Sequence, residues 1–297
     1  MVTILALAAA VLYGTADFLG GLASRRASVF AVLATTVPAG AAVVLVVALL
    51  GEAPGLGGLL GHGLGSPTSM GWDAVGWAAV SGICGAAGLI AFYAGFAAAP
   101  ISVVAPVAAL VSTVLPVGIA IAGGERLTAR MLAGGLICLV AIVGVSMPAA
   151  RRDGPDAGAA RLRGLAYGAA AGAGFGLFFL CLKNAGQSGV LWPVAISRTA
   201  GTLVAVGIAV ATKALPWRRD GGGTGVIALV SGAVDAAANV CYVLATRVGL
   251  FGLAVVITSL YPGMTVLLAR WVLGERMRWL QRAGLLLAAA GVVLLTT

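Results

Sequence analysis

The sequence predicts an all-α integral membrane protein with ten transmembrane helices in two inverted five-helix repeats. Three observations predict it. The 297 residues are 61% hydrophobic and only 9% charged, with a mean hydropathy of +1.10. A soluble domain usually carries about 25% charged residues. The apolar residues fall in runs of about 20, the length that crosses a bilayer. Finally, the two halves share short motifs at common spacings.

The spans are read in order. Span 1 covers 3–23. It lacks a basic start, and Arg25-Arg26 follow it directly, so it reads as a spanning helix rather than a cleavable signal. Span 2 covers 29–50 and contains Pro38. A Gly/Pro loop at 51–71, GEAPGLGGLLGHGLGSPTSMG, leads to span 3 at 75–96. Span 4, at 101–122, contains Pro106 and Pro116, and span 5 covers 129–148. The charged stretch AARRDGPDAGAARLR at 149–163 then separates a first repeat, 1–148, from a second, 164–297. The second repeat holds spans 6 to 10, at 164–184, 190–211, 225–246, 251–272 and 280–296, with Pro262 in the ninth.

The halves resemble each other. VSG occurs at 80–82 and 230–232, and GER at 124–126 and 274–276, both at an offset of 150, which also pairs Gly134 with Gly284. An offset of 160 pairs Gly14 with Gly174 and Phe18 with Phe178. Five spans per half is an odd number, so the second repeat enters the membrane upside down. Inverted repeats are typical of secondary transporters, whose site lies at the repeat interface near the midplane.

On these residues the whole chain resembles the EamA-type transporters of the drug/metabolite transporter superfamily. The GER turns, the glycine-containing final helices (RMLAGGLICLVAIVGV and QRAGLLLAAAGVVLL) and the proline in SLYPGMTVLLARWVLGER carry the resemblance. It implies ten helices in two five-helix repeats, with helices 1–4 and 6–9 lining a cavity and helices 5 and 10 outside it. It also implies an arginine in the second helix of a repeat. Here that is Arg198, while Thr35-Thr36 occupy the corresponding region of the first half.

The formal charge is +9. In so apolar a chain this reads as a topology signal rather than a nucleic-acid footprint. Connections after odd-numbered spans carry thirteen Lys and Arg, and the other side carries four. The positive-inside rule would place the thirteen in the cytoplasm and both termini outside, whereas the resemblance implies termini inside. The composition, rich in Arg, Ala and Gly, points to a bacterial cytoplasmic membrane.

Few charges lie deep in the spans: Asp17, Arg198 and Asp235. Each costs roughly 2.5–3.5 kcal/mol at a helix centre, so such groups face the bundle interior or a wet cavity. Asp235 is mid-span, and Ser231, Asn239 and Tyr242 share its face at i−4, i+4 and i+7. That stripe lines a cavity or bonds neighbouring helices as structural glue. Arg198 sits at the depth of Asp235, where it can hold the acid ionised or bind an anionic group. Asp17, with Tyr13 at i−4, offers a second site for proton coupling or a capped polar group. Ser112 and Thr113 lie between the prolines of span 4, and Thr258 and Tyr261 precede Pro262. Proline breaks expose backbone polar groups in transporters, though a static kink has the same signature. Tyr93 and Trp192 could stack on a cargo or simply anchor packing.

Glycines 164, 168, 172 and 176, at every fourth residue, suggest a groove for close helix packing or a sliding surface for alternating access. The four cysteines all lie within apolar runs, without a C-x-x-C pair, and the single histidine, His62, lies in a loop. A zinc site is therefore not expected, nor is any cofactor. The expected partners are a small-molecule substrate, protons and the lipid bilayer, with no nucleic acid, in a monomer or homodimer. The expected function is secondary transport of a small organic metabolite or drug, by export and alternating access. The rivals are a membrane sensor that transports nothing and an intramembrane enzyme on lipid-linked substrates. The enzyme would need a metal, a catalytic histidine or a nucleophile–base pair.

Overall fold

The computed structural model describes residues 1–24, 26–51, 70–99, 101–146, 157–212, 223–274 and 279–296. Most of the loop at 51–71, with His62, lies outside them. So do residues 149–156, both residues of Glu275-Arg276 and the side chain of Tyr93. No strand occurs among the described residues.

The helices are α1 (Val2–Ser24), α2 (Val29–Gly51), α3 (Trp72–Ala98), α4 (Ile101–Ala122), α5 (Ala129–Ser146) and α6 (Ala157–Ala185). They continue with α7 (Leu191–Ala211), α8 (Gly223–Val248), α9 (Phe251–Thr258), α10 (Tyr261–Leu273) and α11 (Trp279–Thr296). Among the described residues, eight segments are long and apolar enough to cross a membrane, counting α9 and α10 together as Phe251–Leu273. The apolar parts of α5 and α11, Ala129–Val145 and Trp279–Leu295, are shorter. At 1.5 Å per residue each is about 26 Å long, near the lower limit for a hydrocarbon core of about 30 Å. Large apolar side chains are exposed along many helices, among them Ile4, Val46, Leu136, Leu203 and Leu286. A lipid environment accounts for this, and the chain is a multi-pass integral membrane protein.

Two expectations need correction. The second half of the charged stretch is helical, because α6 begins at Ala157 rather than at residue 164. Its run AGAARLR contains Ala, Arg and Leu, good helix formers, and the last proline before it is Pro155. The ninth span is two helices rather than one. Pro262 has no N–H, and its ring would clash with the carbonyl of Thr258 one turn back. The chain therefore leaves the helix at Thr258 and restarts at Tyr261 with proline in the first turn. Pro38, Pro106 and Pro116 lie inside helices that run on unbroken.

Packing joins the halves rather than neighbours in sequence. The principal partners are α3 with α6, α1 with α8, α5 with α11, α4 with α6, α1 with α9 and α10, α2 with α7, α2 with α8, and α3 with α7. Advancing each span by five maps these pairings onto one another. The shared VSG motif makes two of the crossings. A Cβ on Gly82 would strike the Ser197 carbonyl of α7, and one on Gly232 would strike the Thr36 carbonyl of α2. The preceding serines bond across the other neighbour. Ser81 Oγ donates to Phe178 O at 3.0 Å, and Ser231 Oγ donates to Ala16 O at 2.8 Å. The stripe of glycines 164, 168, 172 and 176 packs on α4 and on Ala99 just before it, from Ala99 and Val103 to Pro116. It is a packing groove, with no space left along it.

The GER turn of the first half also acquires a role. Glu125 Oε1 accepts a 2.8 Å hydrogen bond from the Gly252 N–H, in the first turn of α9. A carboxylate there satisfies one of the helix's open donors and complements its dipole.

Candidate functional site

The site grows from the inner face of α8. Its lipid side carries Val226, Leu229 and Val230, all exposed. At 100° per residue, Asp235 lies on the opposite side, flanked by Ser231, Asn239 and Tyr242. All three neighbours are buried. The predicted stripe therefore faces inward.

Within the stripe the roles divide. Asp235 Oδ2 is paired with Arg198 Nη2 of α7. Arg198 is 12% exposed and Asp235 29%. Helices α7 and α8 pack mainly on α2 and only lightly on each other, and this ion pair ties them together. Arg198 Nε is buried without a hydrogen-bond partner, a donor available for an anionic or carbonyl group. One turn along α8, Asn239 Nδ2 donates to the Asp235 carbonyl at 2.7 Å, and Asn239 Oδ1 accepts from Tyr13 Oη of α1 at 2.8 Å. Ser231 and Tyr242 are differently employed. The first bonds the α1 backbone, and Tyr242 Oη donates to Phe179 O at 2.9 Å. They hold α8 against α1 and α6.

Aromatic rings close the site on one side. Tyr13 meets Phe179 edge-on at 6.0 Å and Tyr261 at 6.2 Å, and Phe179 lies 4.7 Å from Tyr242. Tyr261 begins α10, so the break in span 9 delivers this ring to the site. Trp192 packs at the rim of the same cluster. Asp17 is exposed, yet it lies about 120° around α1 from the lipid-facing stripe of Ile4, Leu7 and Val11. Its exposure is therefore to the interior side, one turn beyond Tyr13.

Other residues stay apart from this cluster. Ser112 and Thr113 both donate to the Ala109 carbonyl, at 3.0 and 2.8 Å, within their own helix. Thr113 lines a separate apolar groove. Thr258 Oγ1 reaches the Ala6 carbonyl at 3.5 Å, and the neighbouring Ser259 Oγ is buried without a partner.

Phe179 and Glu125 were not singled out from sequence. Phe179 contacts both site tyrosines, and its signal was the paired phenylalanines at 178–179 beside the repeated Phe18 position. Glu125 was visible only as part of a repeated tripeptide. No group of three or more potential metal ligands occurs among the described residues.

Comparison with known proteins agrees with this architecture. Residues 162–297 match the EamA-like transporter family. No curated protein matches the chain. Among solved structures, one described only as the crystal structure of a protein superposes with a TM-score of 0.74 at 18% identity. The match covers 99% of this chain and 96% of that one, so the fold is shared end to end.

Proposed function

From a chain whose second half is EamA-like, we propose a secondary transporter built from two inverted five-helix repeats. It moves a small organic metabolite or drug out across a bacterial cytoplasmic membrane by alternating access. The observation that carries this reading is the Arg198–Asp235 pair, which bridges α7 and α8 at mid-depth. A charge pair in hydrocarbon is expensive to keep and marks a pathway or a relay. The crossed pairing of the halves supports the repeat architecture, since every principal contact has a counterpart five spans on.

The chemistry follows from the pair. While Asp235 is ionised, Arg198 holds it and α7 is tied to α8. A proton on Asp235, or an anionic group of the cargo on Arg198, loosens that tie. Either event shifts the balance between inward- and outward-open forms through its different affinity for the two. Asn239, bonded to the Asp235 main-chain carbonyl and to Tyr13, ties the turn of α8 that carries Asp235 to α1, and Tyr13 meets Tyr261 at the break. Asp17 offers a second carboxylate on the same interior side. The rings of Tyr13, Phe179 and Tyr261 suit an apolar or aromatic part of the cargo.

Metabolite profiles of medium and cytosol test this. Cells expressing the protein should deplete at least one solute inside and enrich it outside, relative to cells without it. No redistribution of any solute at matched membrane levels would instead favour a sensor.

A further inference from the structure

Besides the polar site, the protein carries an apolar groove of about 200 Å³ between α4, α5, α9 and the end of α11. We propose that this groove holds one acyl chain of a bilayer phospholipid, with the phosphate held by Arg126 at its mouth. Four observations lead there.

The lining is apolar throughout: the hydroxyl of Thr113 is already bonded to Ala109 O. Nothing in it could orient a polar cargo. The groove is open to the surrounding hydrocarbon, because Val114, Ile121, Leu132 and Leu136 of its walls are exposed. Its length fits one leaflet. From Thr113 to Ile121 along α4 is eight residues, about 12 Å, against half of a core about 30 Å thick. It starts at the α4–α5 turn and ends at mid-membrane.

The mouth then supplies the charge. Leu127 lines the groove, and Arg126 beside it is exposed. The neighbouring carboxylate of Glu125 is engaged by the Gly252 N–H. Arg130 lies on the far face of α5 from the groove-lining Met131, Gly135 and Leu139. Lys183, at the same end, sits over the Phe251 ring, and Arg126 beside Leu127 is the guanidinium at headgroup level, where it pairs with phosphate in a fork.

Two glycines make the proposal testable without disturbing the fold. Gly118 and Gly135 line the groove, and a Cβ added at either meets nothing within 4 Å. Purified protein would be reconstituted in vesicles of phosphatidylethanolamine and phosphatidylglycerol. It would then be extracted in mild detergent and weighed by native mass spectrometry. The wild type should retain one phospholipid per chain. Retention should fall stepwise through Gly135→Ala, Gly135→Val and Gly135→Phe, at least fivefold by the last, with thermal stability preserved. Gly118→Phe should act alike, and Arg126→Ala should lower retention several-fold. Equal retention across the series, or none in the wild type, would overturn the proposal. So would a series that changed solute transport or oligomeric state and left lipid retention intact. The readout is independent of transport, so the two proposals stand or fall separately.

Discussion

Helices α3 and α8 carry the same crossing and diverge beyond it. Ser81-Gly82 seats α3 against α6 and α7, and Ser231-Gly232 seats α8 against α1 and α2, each by a serine–carbonyl bond and a glycine contact. Four residues after the serine, α8 has Asp235, and α3 has Gly85, whose added Cβ would meet the Phe178 ring at 3.0 Å. Four further on, Asn239 faces Leu89 in the comparison. The partner helices differ likewise, with Arg198 in α7 against threonines in α2. The repeated residues build the scaffold, and the unrepeated ones build the polar site. Duplication explains packing, and its breakdown marks chemistry.

That contrast can be broken deliberately. Arg198→Ala should have the largest effect, because it strands Asp235 as an unpaired carboxylate. Losing one partner of a buried pair costs about 3–5 kcal/mol, and the 29% exposure of Asp235 places this case at the low end. A thermal-melt series in detergent should show the double variant Arg198→Ala with Asp235→Ala recovering part of the loss. Gly82→Ala and Gly232→Ala are of comparable size, at about 3 kcal/mol each, the upper end of overpacking, because the added Cβ would strike a backbone carbonyl of the facing helix. Their melting temperatures should drop by similar amounts. A large drop in one and none in the other would deny that the crossings are equivalent. Tyr13→Phe removes a single bond to Asn239, about 1 kcal/mol, and should impair transport more than it lowers the melting point. Asp17→Asn should barely move stability, because the side chain is exposed. Any effect should appear in transport alone.

Much of the fold was legible because a membrane imposes it. Backbone groups in hydrocarbon must bond within their own helix, so apolar runs translate almost directly into helices. Span 4 was read at its observed bounds, 101–122. The break at Thr258–Tyr261 was harder, since Pro262 differs from Pro38 only in tertiary context. Four prolines had one sequence signature, and three of them lie in two helices, α2 and α4, that packing kept whole. The start of α6 was missed because arginines read as a linker, whereas helix propensity carried the helix out to Ala157.

The site was legible in its charges and obscure in its bonds. Asp235 and Arg198 stood out because charge in hydrocarbon is rare. Periodicity placed Ser231 and Tyr242 on the same face as Asp235, yet it says nothing of which carbonyls they reach. Only the three-dimensional arrangement separates the two glue residues from Asn239, which reaches back to Asp235. Thr113 was drawn in by its prolines and belongs to the lipid-facing groove. Phe179 entered through contacts with residues more than sixty positions away in sequence.

Of the two triggers proposed for the unrepeated Asp235–Arg198 pair, we propose that proton loading on Asp235 is the one that drives transport. Its most direct test follows a solute exported by the wild type, in cells expressing wild type or Asp235→Asn at matched membrane levels, at two external pH values. The account predicts pH-dependent export by the wild type, because each cycle loads a proton on Asp235. It predicts that Asp235→Asn, unable to ionise, loses the pH dependence together with net export. Export by Asp235→Asn equal to the wild type at both pH values would contradict it and reduce the pair to a structural tie between α7 and α8.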